Sequence, residues 1–207
     1  MANTFAPYGF LQYQGGAGGA PTFAQSTRKI ASGNTTAIYT GDPVMPVIGT
    51  ANGYITQAAA GSTVLAGIVV GCKSLSTSQK RTVWSSYWPG SDTTTDVEAY
   101  VIDDPNARFV VQSSGSGFPI TGTASTQTSG VQGQYAQFTI GTGNTSTGRS
   151  GAYISSVATT VTFPFIVVDY ATSFGNGGDP TTQYCNLIVG FNNEVWRTNG
   201  AGPTGIS

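Results

Sequence analysis

The chain has 207 residues, of which 8 are Lys or Arg and 9 are Asp or Glu, so only 8% are charged and the formal net charge is −1. About 25% charge is usual for soluble domains. Histidine is absent, which excludes Ser-His-Asp and Cys-His catalysis, a His-Glu-x-x-His zinc site and an imidazole pH switch.

Eight cations cannot neutralise a run of phosphates, so nucleic acid is not an expected partner. Thirty Thr, 20 Ser and 29 Gly give a polar, turn-rich chain. The hydrophobic fraction of 39% and aromatic fraction of 11% are nevertheless too high for a disordered one. No apolar run reaches the length of a membrane span, and the first residues lack the basic and apolar regions of a secretory signal.

In chain order, residues 1–25 read as a flexible N-terminal arm. Its tip is aromatic (Phe5, Tyr8, Phe10, Tyr13) and is followed by Gly15-Gly16-Ala17-Gly18-Gly19-Ala20-Pro21, a run too rich in glycine to hold regular structure alone. Such a tip either docks on a neighbouring molecule or packs back on its own domain. From residue 36 the chain becomes a succession of short β-type runs, near 37–39, 44–48, 54–57, 64–73, 81–87, 97–102, 108–112, 134–140, 151–155, 161–170 and 184–191. Turn sequences such as Gly41-Asp42-Pro43, Ala51-Asn52-Gly53, Asp103-Asp104-Pro105-Asn106 and Asn176-Gly177-Gly178-Asp179-Pro180 punctuate them. No stretch repeats apolar residues at helical spacing.

This pattern predicts an all-β fold, a jelly-roll-like β-sandwich or barrel over residues 26–197, with 198–207 as a C-terminal tail. Pro164 within the run 161–170 cannot donate to a ladder, which predicts an edge strand or a bulge there. Residues 113–133 read as a long polar loop.

The titratable residues form no catalytic constellation. Asp103 and Asp104 precede a proline and suit a turn. Asp96 and Glu98 share a strand face but read as a solvated edge. The glycine-rich segments match neither phosphate-binding loops nor a nucleophile elbow. Cys72 and Cys185 lie in apolar runs and are expected as buried free thiols. Asn34-Thr35-Thr36 and Asn144-Thr145-Ser146 match the glycosylation acceptor pattern by chance in so Thr-rich a chain. No cofactor, no metal and no enzymatic activity are expected. The most contact-like segment is Lys80 to Trp88, which combines Arg81 with Trp84, Tyr87 and Trp88, residue types enriched at interface hot spots and on sugar-binding platforms. Aromatics filling a sandwich face are the alternative.

Several segments, in order, carry a resemblance. They are Met1-Ala2-Asn3-Thr4-Phe5-Ala6-Pro7-Tyr8-Gly9-Phe10; Ile38-Tyr39-Thr40-Gly41-Asp42-Pro43-Val44; Leu65-Ala66-Gly67-Ile68-Val69-Val70-Gly71; Val101-Ile102-Asp103-Asp104-Pro105 with Phe109-Val110-Val111-Gln112; Ser146-Thr147-Gly148-Arg149-Ser150-Gly151; and Asn192-Asn193-Glu194. Together they resemble a family of tailed-bacteriophage head decoration, or cement, proteins. The chain departs from that pattern in carrying fewer charges and no His near its closing strand.

The resemblance implies a structural virion protein on the outer surface of the capsid, assembled in the host cytoplasm. It would act as a homo-oligomer (trimer or dimer) that clamps adjacent copies of the major capsid protein. The aromatic arm and the Arg81, Trp84, Tyr87, Trp88 segment are then the expected contacts to capsid or neighbouring subunit. A sparsely charged Thr/Ser/Gly surface agrees with a protein held in a large assembly. The alternative is a receptor- or carbohydrate-binding β-sandwich of a tail fibre or adhesin, using Trp84, Tyr87 and Trp88 as its platform.

Overall fold

The computed structural model describes residues 2–14, 24–49, 53–115, 117–120, 130–173 and 175–196. The tail 198–207 and the glycine run 15–21 lie outside the described residues. Fourteen strands and no helix occur among those described: β1 (Leu11–Gln14), β2 (Ser26–Ile30), β3 (Ile38–Tyr39), β4 (Pro43–Pro46), β5 (Ile55–Gln57), β6 (Gly67–Ser76), β7 (Arg81–Ser85), β8 (Tyr87–Trp88), β9 (Val97–Ile102), β10 (Arg108–Gln112), β11 (Tyr135–Thr139), β12 (Tyr153–Ala158), β13 (Phe165–Tyr170) and β14 (Asn186–Phe191). The first sheet has the order β1-β10-β14-β13-β11-β12, and the second β2-β9-β6-β4-β5, with β7 also on β6. All their strand pairs are antiparallel. A short β3–β8 ribbon completes an all-β sandwich.

Alternation along the strands sets the layers. Phe109 and Val111 of β10 and Leu187, Val189 and Phe191 of β14 enter the main core, while Val110 and Ile188 face the other way. Ser113, just after β10, bridges to Ile154 of β12, so the first sheet curls around this core. Ile68 and Ile102, paired across β6 and β9, close it from the second sheet. The opposite face of the second sheet presents Val69, Cys72, Val97, Ala99 and Val101 to Ile38 and Trp88 of the small ribbon. An alternating strand could not place both Val69 and Cys72 there; the register shift between Val69 and Gly71 makes Val70 the extra residue that allows it. Val168 does the same in β13, so that Val167 and Tyr170 both reach the main core.

Two expectations are corrected, and an alternative left open by the sequence is decided. The run 161–170 becomes a strand only from Phe165, and β13 is central rather than at an edge. Pro164 stands just before it, where its carbonyl accepts the Asn192 amide (2.8 Å), so the missing N–H costs the ladder nothing. The run 81–87 is two strands in different sheets, broken at Ser86, whose carbonyl accepts the Thr40 hydroxyl. Finally, residues 2–14 are extended but not free. β1 pairs with β10, and Phe10 is 2% exposed, stacked on Phe165 at 4.5 Å between ring centroids.

One junction holds these layers together. The Asp42 carboxylate is 1% exposed. Oδ2 accepts the Tyr39 amide (2.8 Å) and Gln57 Nε2 (2.7 Å), and Oδ1 accepts the Ser150 hydroxyl (2.5 Å). Around it, the Phe10 amide donates to the Gly41 carbonyl, the Gly41 amide to Val69, the Val69 amide to Asp42, the Ser150 amide to Thr40 and the Gly9 amide to Ala152. The chains meet so closely that a Cβ on Gly9 would lie 2.6 Å from the Ser150 Cβ, and one on Gly41 3.0 Å from the Phe10 amide nitrogen. Both glycines also have positive φ, 78° and 92°, which a side chain would strain.

Phe10→Ala should cost about 3–5 kcal/mol, as for other aromatics deleted from a core. Phe5→Ala, on a side chain 42% exposed, should cost about 1 kcal/mol at most. Chemical denaturation of both variants checks this; equal losses would mean that Phe10 is not a core residue. Asp42→Ala should cost about 3 kcal/mol, because three donors lose their acceptor, whereas Asp42→Asn keeps an acceptor and should cost less.

The Asn variant also carries a pH signature. Burial raises the Asp42 carboxyl above its ordinary value, against the hydrogen bonds from Ser150, Tyr39 and Gln57 that lower it. The folded protein therefore holds this proton more tightly than the unfolded chain. The contribution is full below the ordinary carboxylate range and is lost as pH rises through the folded-state value. Acidification from neutrality should then favour wild type over Asp42→Asn in unfolding free energy. A pH-independent difference would show that the buried carboxyl does not titrate as its surroundings dictate.

Candidate interaction surface

Residues 2–10 lie against the domain through side-chain amides. Asn3 Nδ2 donates to the Asp179 carbonyl, the Thr4 amide to Asn176 Oδ1, and the Ala6 amide to Gln112 Oε1, while Gln112 Nε2 returns a bond to the Thr4 carbonyl. Phe5 meets Tyr153 edge-on at 5.1 Å and Tyr184 at 5.3 Å. Tyr8 and Tyr13 cover Val110, Ala171 and Ile188 on the outer face of the curled sheet, and burial raises the Tyr8 hydroxyl above its ordinary value. The expected contact set Phe5, Tyr8, Phe10 and Tyr13 is thus used intramolecularly. Phe10 is wholly unavailable to a partner, and Phe5 alone among the four is exposed.

The Lys80 to Trp88 segment is divided as well. Trp88 is 1% exposed and donates its indole N–H to the Asn34 carbonyl at 3.3 Å. Tyr87 stacks on Tyr39, with ring centroids 5.0 Å apart and planes 5° off parallel. The break at Ser86 turns both away from β7, so Trp84, Tyr87 and Trp88 do not form one platform. Arg81 is exposed and donates Nε and Nη2 to Gln79 Oε1 (3.0 and 2.8 Å). Trp84 is 67% exposed.

What surrounds Trp84 follows from register. Lys73 pairs with Trp84 and Leu75 with Thr82 across β6–β7, and Lys73 pairs with Glu98 across β6–β9. Directly paired residues share a face, here the face that Ile68 and Ile102 turn toward the main core. The first sheet covers only that end of it. Beyond, the second sheet overhangs, and Leu75 (48% exposed) and Trp84 stand in solvent beside the Lys73–Glu98 ion pair (3.3 Å). Leu75 was missed in the sequence because the run expected there stopped at Lys73; its period-2 relation to Lys73 was the available signal.

Asp92 fixes the tip of this overhang. Its carboxylate accepts the Ser76, Thr77 and Ser78 hydroxyls (2.5, 2.8 and 2.9 Å) and the Ser78 amide (2.8 Å), across the β6–β7 turn. These bonds, led by that from Ser76, hold its carboxyl well below the usual carboxylate range. Other carboxylates are likewise committed to structure. Asp103 accepts Ser26 Oγ (2.5 Å) and pairs with Arg28 (2.6 Å), Asp104 accepts the Asn106 amide at 2.9 Å, and Asp96 accepts the Tyr54 hydroxyl at 2.8 Å.

Cys72 and Cys185 are free and buried, and burial pushes the Cys72 thiol up to about 11. No group of three or more His, Cys, Asp and Glu able to hold a metal occurs among the described residues. An open cleft of about 610 Å³ at the N-terminal segment is lined by Asn3, Thr4, Thr172, Asn176 and Asp179 among others, with a single carboxylate and no paired acid and base.

A scan against protein-family models finds no match, and neither do searches of curated proteins and of solved structures.

Because the Asp92 carboxyl is depressed, its contribution is present above the ordinary carboxylate range and is lost as pH falls through the folded-state value. The protection of the Ser78 amide, its exchange rate relative to an unstructured chain at the same pH, should accordingly be high at neutral pH, lower in Asp92→Ala, and lower in wild type only in strong acid. Unchanged Ser78 exchange in the variant would show that the carboxylate does not hold this turn.

Proposed function

We propose that this protein is a structural virion component, a head decoration (cement) protein. In this reading it binds the outer surface of a phage capsid as a homo-oligomer and clamps neighbouring major capsid proteins, after assembly in the host cytoplasm. The observation that carries the reading is spatial. The segments bearing the resemblance, far apart in the chain, touch one another. Thr4 and Ala6 bond to Gln112; Phe10 bonds to Gly41, Gly41 to Val69, and Asp42 to Ser150; Leu65 donates to the Asn193 carbonyl at 3.1 Å; Ile68 pairs with Ile102. They form one physical unit of the fold, which supports reading them as a family signature rather than scattered coincidences.

The rest agrees with a structural role. Of the expected contact residues, Arg81 and Trp84 are exposed and clear of the domain's own core, and they are the ones assigned here to docking. A clamp needs little affinity per site, because an oligomer held at several points gains from effective concentration. No catalytic step is assigned to the chain. The tail-fibre or adhesin alternative loses its platform with Trp88 buried and Tyr87 stacked on Tyr39.

Mixing purified protein with undecorated expanded heads and imaging the particles tests the proposal, and added protein should appear at regular positions on the outer surface. With so few ion pairs available, retention should change little between low and moderate salt. Bare particles at saturating protein would sink the decoration reading, as would selective binding on a glycan array.

A further inference from the structure

The edge of β7 is unguarded. Natural sheet edges are usually blunted by lysine, proline, bulges or inward-pointing charge, since an open edge is a template for another strand. β7 reads Arg81-Thr82-Val83-Trp84-Ser85, pairs with β6 without a register shift, and has no second partner among the described residues. It contains no proline and no bulge, and its only charge is at one end. Asp92 holds the hairpin's tip, so the edge is presented rigidly. Trp84 and Leu75 on the same face are among the most exposed large apolar side chains described.

The geometry points to a second copy of this chain as the occupant, adding β7 to β7 in antiparallel fashion about a two-fold axis through Val83. In that register Val83 faces Val83 of the second copy, Thr82 faces Trp84, and Arg81 faces Ser85. Three features favour self-pairing. The two Trp84 rings become diagonal neighbours on one face, about 7–8 Å apart and within reach of each other. Each Trp84 also lies over the partner's Thr82, so the tryptophans exposed at 67% lose their water contact. The Arg81 pair is kept about 14 Å apart along the strands, beyond the screening length of about 8 Å at physiological salt, so like charges do not oppose closure. The result is a continuous sheet running through both molecules, an isologous contact that closes on itself. This names the surface behind the homo-oligomer of the proposed function, on which it rests for biological setting, but it needs no capsid.

The test uses the full chain alone. Sedimentation should give a dimer for wild type, and Trp84→Lys, which would set two cations at the diagonal, should weaken association by on the order of thirtyfold or more. Trp84 is exposed, so the thermal stability of the monomer should hold. Register is read by cysteine. The native thiols are buried, and paired strands place facing Cα atoms about 4.5–5.5 Å apart, within disulfide range. Val83→Cys should therefore give a covalent dimer under mild oxidation, and Thr82→Cys should not.

A wild-type monomer at all concentrations, a trimer, or equal cross-linking at residues 82 and 83 would each overturn the inference. Failure on heads with an intact Val83-linked dimer would instead overturn only the decoration reading.

Discussion

A carboxylate buried at 1% exposure is the constraint around which the fold is arranged. Removing Asp42 from water is costly unless its lone pairs are filled, and filling them requires its own turn, through the Tyr39 amide, and two more distant pieces of chain at fixed distances, the Gln57 side chain and the Ser150 hydroxyl. Once these converge, Gly41 must present its backbone to Phe10 and Val69, and Gly9 must pass beside Ser150. The first strand, the curled sheet and the second sheet are thereby tied at one point. Hydrophobic burial supplies most of the stability, but it does not discriminate between registers as sharply as an acceptor that loses its partners when any of three segments slips.

The sequence disclosed some of this and concealed the rest, for identifiable reasons. Period-2 runs bounded by Gly, Pro, Asn and Asp placed the all-β class and most strands, because those residues encode turns through their own dihedral limits. β2 escapes the pattern because Ser26-Thr27-Arg28-Lys29 has no apolar alternation: Arg28 faces inward, where it pairs with Asp103 and lies over Trp196, 4.2 Å from its ring centroid. The arm reads as free in the sequence because its glycine run forms no regular pattern, yet side-chain amides of Gln112 and Asn176 take up backbone groups of Thr4 and Ala6, a long-range match invisible to local pattern.

Burial of Phe10 and Trp88, two of the expected contact residues, has a related reason. A tryptophan in a sequence carries no mark of which face it will occupy. Trp84 and Trp88 are four positions apart and would share a face in one unbroken strand. The break at Ser86 sends Trp88 into the second core and leaves Trp84 in water. Exposure at Trp84 is thus a product of topology, since the second sheet extends past the cover that the first sheet provides for Ile68 and Ile102.

Sparse charge and an open edge are linked. Proteins that stay monomeric usually spread enough charge over their surface to repel copies of themselves and to mask sheet edges. Here, of only 17 charged residues, six already have structural partners: Asp42 in the junction, Asp92 in the β6–β7 turn, Asp103 with Arg28, and Glu98 with Lys73. Few remain to guard β7. A chain of this composition can tolerate such an edge only if something covers it, and covering by regular association costs no additional charge. The composition that removes histidine chemistry and phosphate binding therefore also leaves β7 in need of a partner strand, and the symmetric spacing of Thr82, Val83 and Trp84 makes another β7 a suitable one.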